Sequence, residues 1–243
     1  MKIIYGLISL LMLAGCNSQM PIAPTSPAEL IIQHSPGLRP LEVAIQSCSL
    51  ALQPLPVIVK EIPPAEMNIP AADISLSAIN PVDTEYPAYQ IGTDALIVVV
   101  HPDNSLTRLP LVMLQGIMQG FITRWEDVEG SGAKQYSGEI ALLVYAPSSE
   151  LQIATEARLN DGKPIGLNAI RFDHPDELMI IVSEQPGALG LIPASLISES
   201  VKLLQVEGIQ PALLSFPIIA QTQFKAEGNI AAFLHCLQQS TNK

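Results

Sequence analysis

Two places in the sequence put a small hydroxyl residue at the start of a helix, where an anion could bind. The first is Ser35, which follows a predicted strand over 28–33 and precedes an apolar helix over 41–52. A strand, a short turn and a helix leave unpaired backbone N–H groups at the helix start, and such groups bind anions. Ser35 could instead simply cap the helix, and the local sequence by itself favours that interpretation.

The second place is the pair Ser148 and Ser149, which follows a predicted strand over 139–145. Either serine can cap the helix that runs from there to Leu159. Glu150 falls in the first turn of this helix. Its carboxylate would therefore lie at the positive end of the helix dipole.

Catalytic and metal chemistry are not indicated. The four histidines lie far apart and none has a second ligand at metal spacing, so we predict no metal site. They are His34, His101, His174 and His235. Asp173 and His174 beside a serine could imitate a catalytic trio, but a chain of this length contains such combinations by chance. We expect no catalytic residues, no cofactor and no enzyme activity.

The composition argues against two classes of protein, disordered chains and nucleic-acid-binding proteins. The chain has 243 residues, of which 48% are hydrophobic and 14% are charged, so it can bury a large core and is not disordered. Its net charge of −11 argues against binding nucleic acid, because that requires Lys and Arg at the phosphates. A local site could still bind an anion, because nearby dipoles can outweigh a distant net charge.

The N-terminus carries an export signal. Lys2 precedes an apolar run over 3–13, which is shorter than the ~20 residues needed to span a bilayer. The run ends in Leu-Ala-Gly-Cys, which is similar to the bacterial lipobox, whose cysteine becomes the lipidated first residue. We therefore predict a signal peptide over 1–15, a lipid (palmitate) anchor on Cys16 and a Pro-rich tether over 16–27. The protein would be exported and membrane-anchored, facing the periplasm or the outside of the cell.

Two further cysteines, Cys48 and Cys236, lie on predicted helices. An exported compartment permits a disulfide between them. They could equally be two small buried hydrophobic residues. Their spacing does not decide between these alternatives.

The longest patterned stretch covers 91–130. An apolar run over 95–100, closed by His-Pro-Asp-Asn, predicts a buried strand. Pro110 suits the first turn of a helix, and Gly120 suits its end. Trp125 then begins a short second turn. Further along, strands are predicted over 177–184 and 202–206 and a closing helix over 227–239.

This stretch resembles a segment of the phosphate-type solute-binding proteins of ABC transporters. The family pattern is a strand after Ile-Gly-x-Asp, an Asn-containing turn, a helix, and the run Gly-x-Ile-Thr-x-Trp-x-x-Val-x-Gly. The matching residues are Ile91, Gly92, Asp94, Pro102, Asn104, Leu109, Ile117, Gly120, Ile122, Thr123, Trp125, Val128 and Gly130. A weaker resemblance extends over most of 28–239.

The resemblance implies a two-lobed α/β fold of the type II periplasmic binding protein class. Each lobe would be a mixed sheet flanked by helices, with a cleft between the lobes. The first lobe would begin over 28–97, the second would cover 98–200, and 201–243 would return to complete the first. The expected function is to bind a small solute, an oxyanion or another polar molecule, and to hand it to an ABC permease.

The resemblance also implies a ligand site formed by strand-end turns from both lobes. The residues at these positions are Ser35, Gly37, Leu38, Ser77, Tyr145, Ser148 and Ser149. The family places an Arg and a Ser-Gly-Thr turn in the second lobe, but Tyr145 stands near the Arg position, and Glu150 and Leu151 replace Gly and Thr. In the first lobe, Ala78 and Ile79 replace a polar residue.

Loss of the Arg weakens the expectation of phosphate. Removing one partner of a buried charge pair costs ~2–5 kcal/mol, which is about 30-fold to several-thousand-fold in affinity. We therefore expect a solute-binding protein that does not bind phosphate tightly through the usual contacts. The alternative is a sensor or interaction protein, not involved in transport, with a degenerate cleft.

Overall fold

The structure is a computed structural model that describes residues 29–52, 55–81, 85–128, 137–210 and 214–241. The predicted signal peptide, the lipidation site Cys16 and the tether lie outside these residues and stay predictions. In the part of the chain that is described, no helix is both long enough and apolar enough to cross a bilayer.

Strands and helices alternate along the chain. The strands are β1 (Leu30–His34), β2 (Val57–Glu61), β3 (Ile74–Ser77), β4 (Ala88–Val100), β5 (Arg108–Pro110), β6 (Ala141–Tyr145), β7 (Ile170–Phe172), β8 (Ala188–Pro193), β9 (Lys202–Leu203), β10 (Gln205–Glu207) and β11 (Ser215–Gln221). The α-helices are α1 (Glu42–Ala51), α2 (Leu111–Met118), α3 (Glu150–Leu159), α4 (Pro175–Glu184) and α5 (Gly228–Thr241).

The long strand β4 connects two halves of one mixed sheet, in the order β2-β1-β3-β11-β4-β8-β6-β7. Its first half pairs antiparallel with β11, and its second half pairs antiparallel with β8. We call the part containing β1, β2, β3, β11, α1 and α5 the first lobe. The part containing β6 to β9 and α2 to α4 is the second lobe. The exact lobe boundaries given above stay a prediction.

Parallel pairing sets where the two lobes meet. β1 lies parallel to β2 and β3, and β6 lies parallel to β7 and β8. In open α/β sheets of this kind, ligands bind beyond the carboxyl ends of the strands. A ligand site is therefore expected at the turns after β1 and β6.

The apolar core runs from one lobe into the other. One cluster of buried side chains contains Ile32 and Ile74 of the first lobe together with Leu143 and Leu178 of the second. A second cluster surrounds the fully buried Trp125 in the second lobe. The lobes are thus packed against each other by apolar contacts as well as by the connecting strands.

Much of the stretch over 91–128 follows the sequence prediction, whereas Gly130 lies outside the described residues. A turn that includes Asn104 follows β4, and the Asn104 side chain accepts a hydrogen bond from the Leu106 N–H at 3.0 Å. Gly120, just beyond α2, has φ +79°, a conformation that favours glycine. The strand itself is longer than predicted, because pairing with β11 extends it back to Ala88.

The predicted strand over 177–184 is wrong, because this segment is the helix α4. Its run of Met, Ile and Val resembles a buried strand. Pro175 in the first turn, followed by two acidic residues, is a helix start, and this signal decides the outcome. The buried side chains Leu178 and Val182 lie four residues apart, which is helical spacing.

The predicted strand over 202–206 is also inaccurate. It is divided into β9, which pairs with β4, and β10, which pairs with β5. The short strands β5 and β7, of three residues each, were not predicted. The closing helix is α5, as predicted.

The two cysteines on α1 and α5 form a disulfide. The Cα atoms of Cys48 and Cys236 are 5.8 Å apart, and 188 residues separate them in the sequence. The bond joins the two helices that cover the first lobe. The alternative of two unpaired hydrophobic cysteines is therefore wrong.

Candidate functional site

A cavity of about 260 Å³ lies where the turns after β1 and β6 face each other. Its lining combines hydroxyl, carboxyl and imidazole groups with prolines and a glycine. The lining residues are Ser35, Pro36, Gly37, Glu61, Pro63, Pro64, Ala146, Ser148, Ser149, Glu150, Asp173 and His174. Among these described residues, three carboxylates and His174 are the ionisable groups and no Arg or Lys is present, so acidic groups outnumber basic ones.

The wall from the first lobe supplies hydrogen-bond donors. Ser35 directly follows β1 and precedes a 3-10 turn over Pro36–Leu41. Its side chain makes no capping hydrogen bond, so the local interpretation of Ser35 as a helix cap is wrong. The hydroxyl turns toward the second lobe instead. Close by, the backbone N–H of Ala78 follows β3 and points the same way.

Both donors bind the carboxylate of Glu150 in the second lobe. The Ser35 hydroxyl and the Ala78 N–H each donate to Glu150 Oε2 at 2.8 Å. Glu150 is the first residue of α3 and is only 3% exposed. As predicted, its carboxylate lies in the first turn, at the positive end of that helix. An internal carboxylate therefore occupies a place that backbone and hydroxyl donors have prepared for an anion.

Burial has the largest effect on the pKa of the Glu150 carboxyl group. Loss of hydration raises the pKa of Glu150, and the hydrogen bonds from Ala78 and Ser35 oppose the rise without cancelling it. The negative form is consequently less stable here than in water. In place of water, the ionised carboxylate has two hydrogen-bond donors and the positive end of α3.

An apolar contact also joins the two lobes, near the hydrogen bond between Ser35 and Glu150. A Cβ atom added to Gly37 of the first lobe would lie 3.0 Å from Leu151 Cγ of the second. Only a glycine allows so close an approach without displacing the leucine. Gly37 and the residue after Glu150 thus form a tight contact across the cleft.

Of the predicted site residues, the structure brings four together. Ser35, Gly37, Ser148 and Ser149 all line the cavity. Leu38 lies outside it and is buried, with 3% exposure. The remaining two, Ser77 and Tyr145, also lie outside the cavity.

Ser77 and Tyr145 have partners of their own. Ser77 donates its hydroxyl hydrogen bond to the Ile79 carbonyl at 3.0 Å and faces a separate groove. Glu150 lines this groove as well as the cavity, so its side chain stands between the two spaces. Tyr145 is fully buried and donates to the Leu191 carbonyl at 2.7 Å. Burial raises the pKa of the Tyr145 phenol, with smaller contributions from Asp176 and Asp94, so this group stays a neutral donor.

Sequence reasoning missed Glu61, Asp173 and His174 in the cavity wall. Glu61 ends β2, and the other two lie just before α4. Prediction of α4 as a strand concealed the position of His174, which is the residue before the first helical turn. Recognition of Pro175 as a helix start would have placed His174 at a strand-to-helix turn beside the cavity.

His174 connects the lobes by a second polar contact. Its Nε2 lies 2.7 Å from Glu61 Oε1 in the first lobe, and its Nδ1 lies 3.0 Å from Glu177 Oε1. Burial opposes the charged form, but hydrogen bonding to the two carboxylates prevails and raises the pKa of His174. Arg39 of the first lobe adds a longer contact, 3.7 Å from Glu177 Oε1.

A second group of polar residues adjoins the cavity and shares Glu61 with its lining. The ligating atoms of His34, Glu42 and Glu61 all lie within 4.8 Å of one another. His34 is fully buried, whereas the two carboxylates are partly exposed. Among the described residues, these three are the group that could hold a metal ion. Their sequence spacing concealed the group, because three separate elements supply them.

Comparison with solved structures identifies the fold. A substrate-binding protein of the phosphate ABC transporter type from Clostridium perfringens, solved with bound phosphate, matches with a TM-score of 0.72 at 16% identity. The match covers 86% of this chain and 93% of that one. The ABC-type phosphate transport receptor from Vibrio cholerae matches with a TM-score of 0.63 at 21% identity, over 84% and 93% of the two chains.

Regulatory domains also share the fold. The CcmR regulatory domain from Synechocystis PCC6803, in complex with 2-PG, has a TM-score of 0.62 at 10% identity, over 88% of this chain and 97% of that domain. Comparison with protein-family models gives no match, and comparison with curated sequences gives none either. The chain therefore has the type II periplasmic binding protein-like fold, and the predicted fold class is confirmed.

Proposed function

We propose that the protein is an extracytoplasmic solute-binding protein, anchored by a lipid on Cys16, that delivers a small solute to an ABC permease. The observation that carries the proposal is the cavity of about 260 Å³ between the turns after β1 and β6. It lies at the carboxyl ends of parallel strands, where this class of fold binds ligands. Structural neighbours that are phosphate-transport binding proteins support the same role.

The chemistry of the lining favours a neutral polar or cationic solute over an oxyanion. Glu61, Glu150 and Asp173 line the cavity, and Arg and Lys are absent from its lining. An incoming phosphate would meet carboxylates, and like charges at short range repel each other strongly in a partly buried site. Moreover, Glu150 already accepts the two hydrogen bonds that an anion would need.

Four residues would contact the solute directly. Ser35, Gly37, Ser148 and Ser149 line the cavity and offer hydroxyl groups and a close backbone approach. Leu38, Ser77 and Tyr145 would shape and hold the walls around them. The role is binding rather than catalysis.

A thermal-shift screen of the full-length chain in detergent tests this function. The panel holds amines, amino acids, polyols and sugars, with phosphate and sulfate as oxyanions. A solute at ~100 times its dissociation constant adds about 2.7 kcal/mol, which is a shift of a few degrees. We expect a hit among the neutral or cationic compounds and none among the oxyanions.

Variants locate the binding site of any hit. Ser148→Ala should reduce the shift because Ser148 lines the cavity. Ser183→Ala is the matched control, since this serine on α4 donates to the Ile180 carbonyl and does not line the cavity. A shift that survives Ser148→Ala and Ser149→Ala together would contradict the assignment of the cavity.

A second function is favoured by the way the lobes are joined. Glu150 bridges the cleft, Gly37 and Leu151 touch across it, and the apolar core is continuous between the lobes. A protein joined in this way could serve as a sensor or interaction protein, as regulatory domains use the same fold. No shift with any member of the panel would favour this second function.

A further inference from the structure

We propose that His34, Glu42 and Glu61 form a binding site for a divalent transition-metal cation such as Zn²⁺. The site shares Glu61 with the lining of the solute cavity, and the proposal does not assume which solute binds there. Three elements supply the ligands: the end of β1, the first turn of α1 and the end of β2.

The hydrogen bonds of His34 leave a lone pair directed at a carboxylate. His34 Nδ1 lies 2.9 Å from the Ser35 carbonyl oxygen, which can only accept, so Nδ1 carries a proton. In the neutral ring, Nε2 then bears a lone pair. Nε2 lies 3.0 Å from Glu42 Oε1, and an ionised carboxylate is also an acceptor. A proton or a metal ion between these two atoms satisfies both of them.

The geometry of the ring is that of a metal ligand. His34 is fully buried, so its ring is held in a fixed position with Nε2 facing Glu42. A neutral histidine that donates one N–H to a backbone carbonyl and presents the other nitrogen is the usual form of a metal ligand. The Ser35 carbonyl therefore orients the ring as an outer partner of a metal site does.

The charges around the site also call for a cation. Glu42 and Glu61 supply two carboxylates to the site, and the Arg39 guanidinium pairs with Asp176 and Glu177 instead. Arg39 lies 3.7 Å from Glu177 and 4.0 Å from Asp176, and no ion pair joins it to either proposed carboxylate ligand. Glu61 already contacts His174, so a divalent ion would chiefly neutralise the Glu42 carboxylate and would share Glu61 with that histidine.

The spacing of the ligands fits a small ion. Two ligands ~2.0 Å from a tetrahedral zinc lie about 3.3 Å apart, and His34 Nε2 and Glu42 Oε1 are 3.0 Å apart. Glu61 completes a group whose atoms lie within 4.8 Å of one another. Its carboxylate is partly exposed, so it can move the short distance needed while the buried His34 stays fixed.

One imidazole and two carboxylates suit zinc or cobalt better than calcium, which takes oxygen ligands. His174 of the second lobe lies 2.7 Å from Glu61 Oε1 and would orient this ligand from outside the site. The site thus lies where the two lobes touch.

Titration of the full-length chain with Co²⁺ and Zn²⁺ tests the proposal. The protein is purified without a histidine tag, stripped with a chelator and kept free of added solutes. We expect one Zn²⁺ per chain by calorimetry, a rise in melting temperature with Zn²⁺, and a visible absorption band with Co²⁺. Mg²⁺ and Ca²⁺ should bind at least about 100-fold more weakly.

Variants identify the ligands. Glu42→Gln and Glu61→Gln should each weaken Zn²⁺ binding by about 100-fold or more, because loss of even an outer partner costs 10–100-fold. Both carboxylates are partly exposed, so these variants should fold. Glu66→Gln is the control of equal charge change on an exposed residue just after β2 and should bind as the wild type does.

Three results would overturn the proposal. The first is the absence of saturable Zn²⁺ binding in the wild type. The second is unchanged affinity in both ligand variants, which would move the metal elsewhere. The third is an equal loss in Glu66→Gln, which would reduce the effect to general surface charge. In the first case the contact between His34 Nε2 and Glu42 is a hydrogen bond without a metal ion.

Discussion

The two walls of the cleft differ in chemistry although they have the same kind of backbone structure. Each is a turn that follows a parallel strand and opens a helical segment. The first-lobe wall supplies donors, the Ser35 hydroxyl and the Ala78 N–H, and belongs to a lobe joined by the disulfide between Cys48 and Cys236. The second-lobe wall supplies the carboxylate of Glu150, and none of the described residues of that lobe forms a disulfide.

The difference shows how a single side chain can change the chemistry of a whole cleft. The donors of the first wall are those that an oxyanion needs. The carboxylate of the second wall satisfies them from within the protein, so the fold persists while the anion site is filled.

The largest effect should come from the disulfide of the first lobe. Replacement of both Cys48 and Cys236 by serine removes a crosslink across 188 residues. We expect the free energy of unfolding to fall by about 2–5 kcal/mol. Chemical denaturation of the oxidised wild type and the double variant measures the difference. Equal stability would mean that the disulfide does not support the first lobe.

The contact between the walls should have the next largest effect. Ser35→Ala leaves the buried Glu150 carboxylate with the Ala78 N–H as its remaining hydrogen-bond donor in the described structure. We expect a loss of about 1–3 kcal/mol at pH 7, measured by urea denaturation. Ser47→Ala is the control, since that exposed hydroxyl bonds to the Val43 carbonyl within α1 and should cost no more than about 0.5 kcal/mol.

Much of the fold could be predicted because its signals are local. The apolar strand before Asn104, the helix ended by Gly120 and the closing helix α5 all follow from composition and spacing. The strand predicted over 177–184 failed because an Ile- and Val-rich run is ambiguous when it is short. The disulfide between α1 and α5 could not be derived, since it depends on how two distant helices pack.

The candidate site was predictable in part. Turn chemistry placed Ser35 and Ser149 beside helix starts, and both line the cavity. The sequence also placed Glu150 in the first turn of α3. It did not reveal that Glu150 reaches Ser35, which is 115 residues away. The group of His34, Glu42 and Glu61 was missed because three different elements contribute to it.

The Glu150 carboxyl group of the second wall should make the free energy of unfolding depend on pH. Burial raises the folded-state pKa of Glu150 above its unfolded value of 4.5. Between these two pKa values, the folded protein holds a proton that the unfolded chain has lost. The resulting stabilisation is fully present below pH 4.5 and is lost as the pH rises through the folded pKa. The slope cannot exceed about 1.4 kcal/mol per pH unit, because one proton is involved.

Comparison with Glu150→Gln isolates this contribution. As the pH falls from 7 toward 4.5, the wild type should gain stability relative to the variant, as followed by urea denaturation at each pH. The variant keeps the shape of the side chain and loses the titration. Parallel pH profiles for the two proteins would show that Glu150 is not the buried titrating group.

Calorimetric titration of phosphate into the wild type and into Glu150→Ala, with Glu66→Ala as the control variant, tests whether the Glu150 carboxylate fills the anion site. We expect no saturable binding in the wild type or the control at concentrations up to roughly 1 mM. We expect weak, measurable binding in Glu150→Ala, since the Ser35 hydroxyl and the Ala78 N–H no longer bind Glu150. Submicromolar phosphate binding by the wild type, abolished by Ser35→Ala, would show that Glu150 does not fill the site.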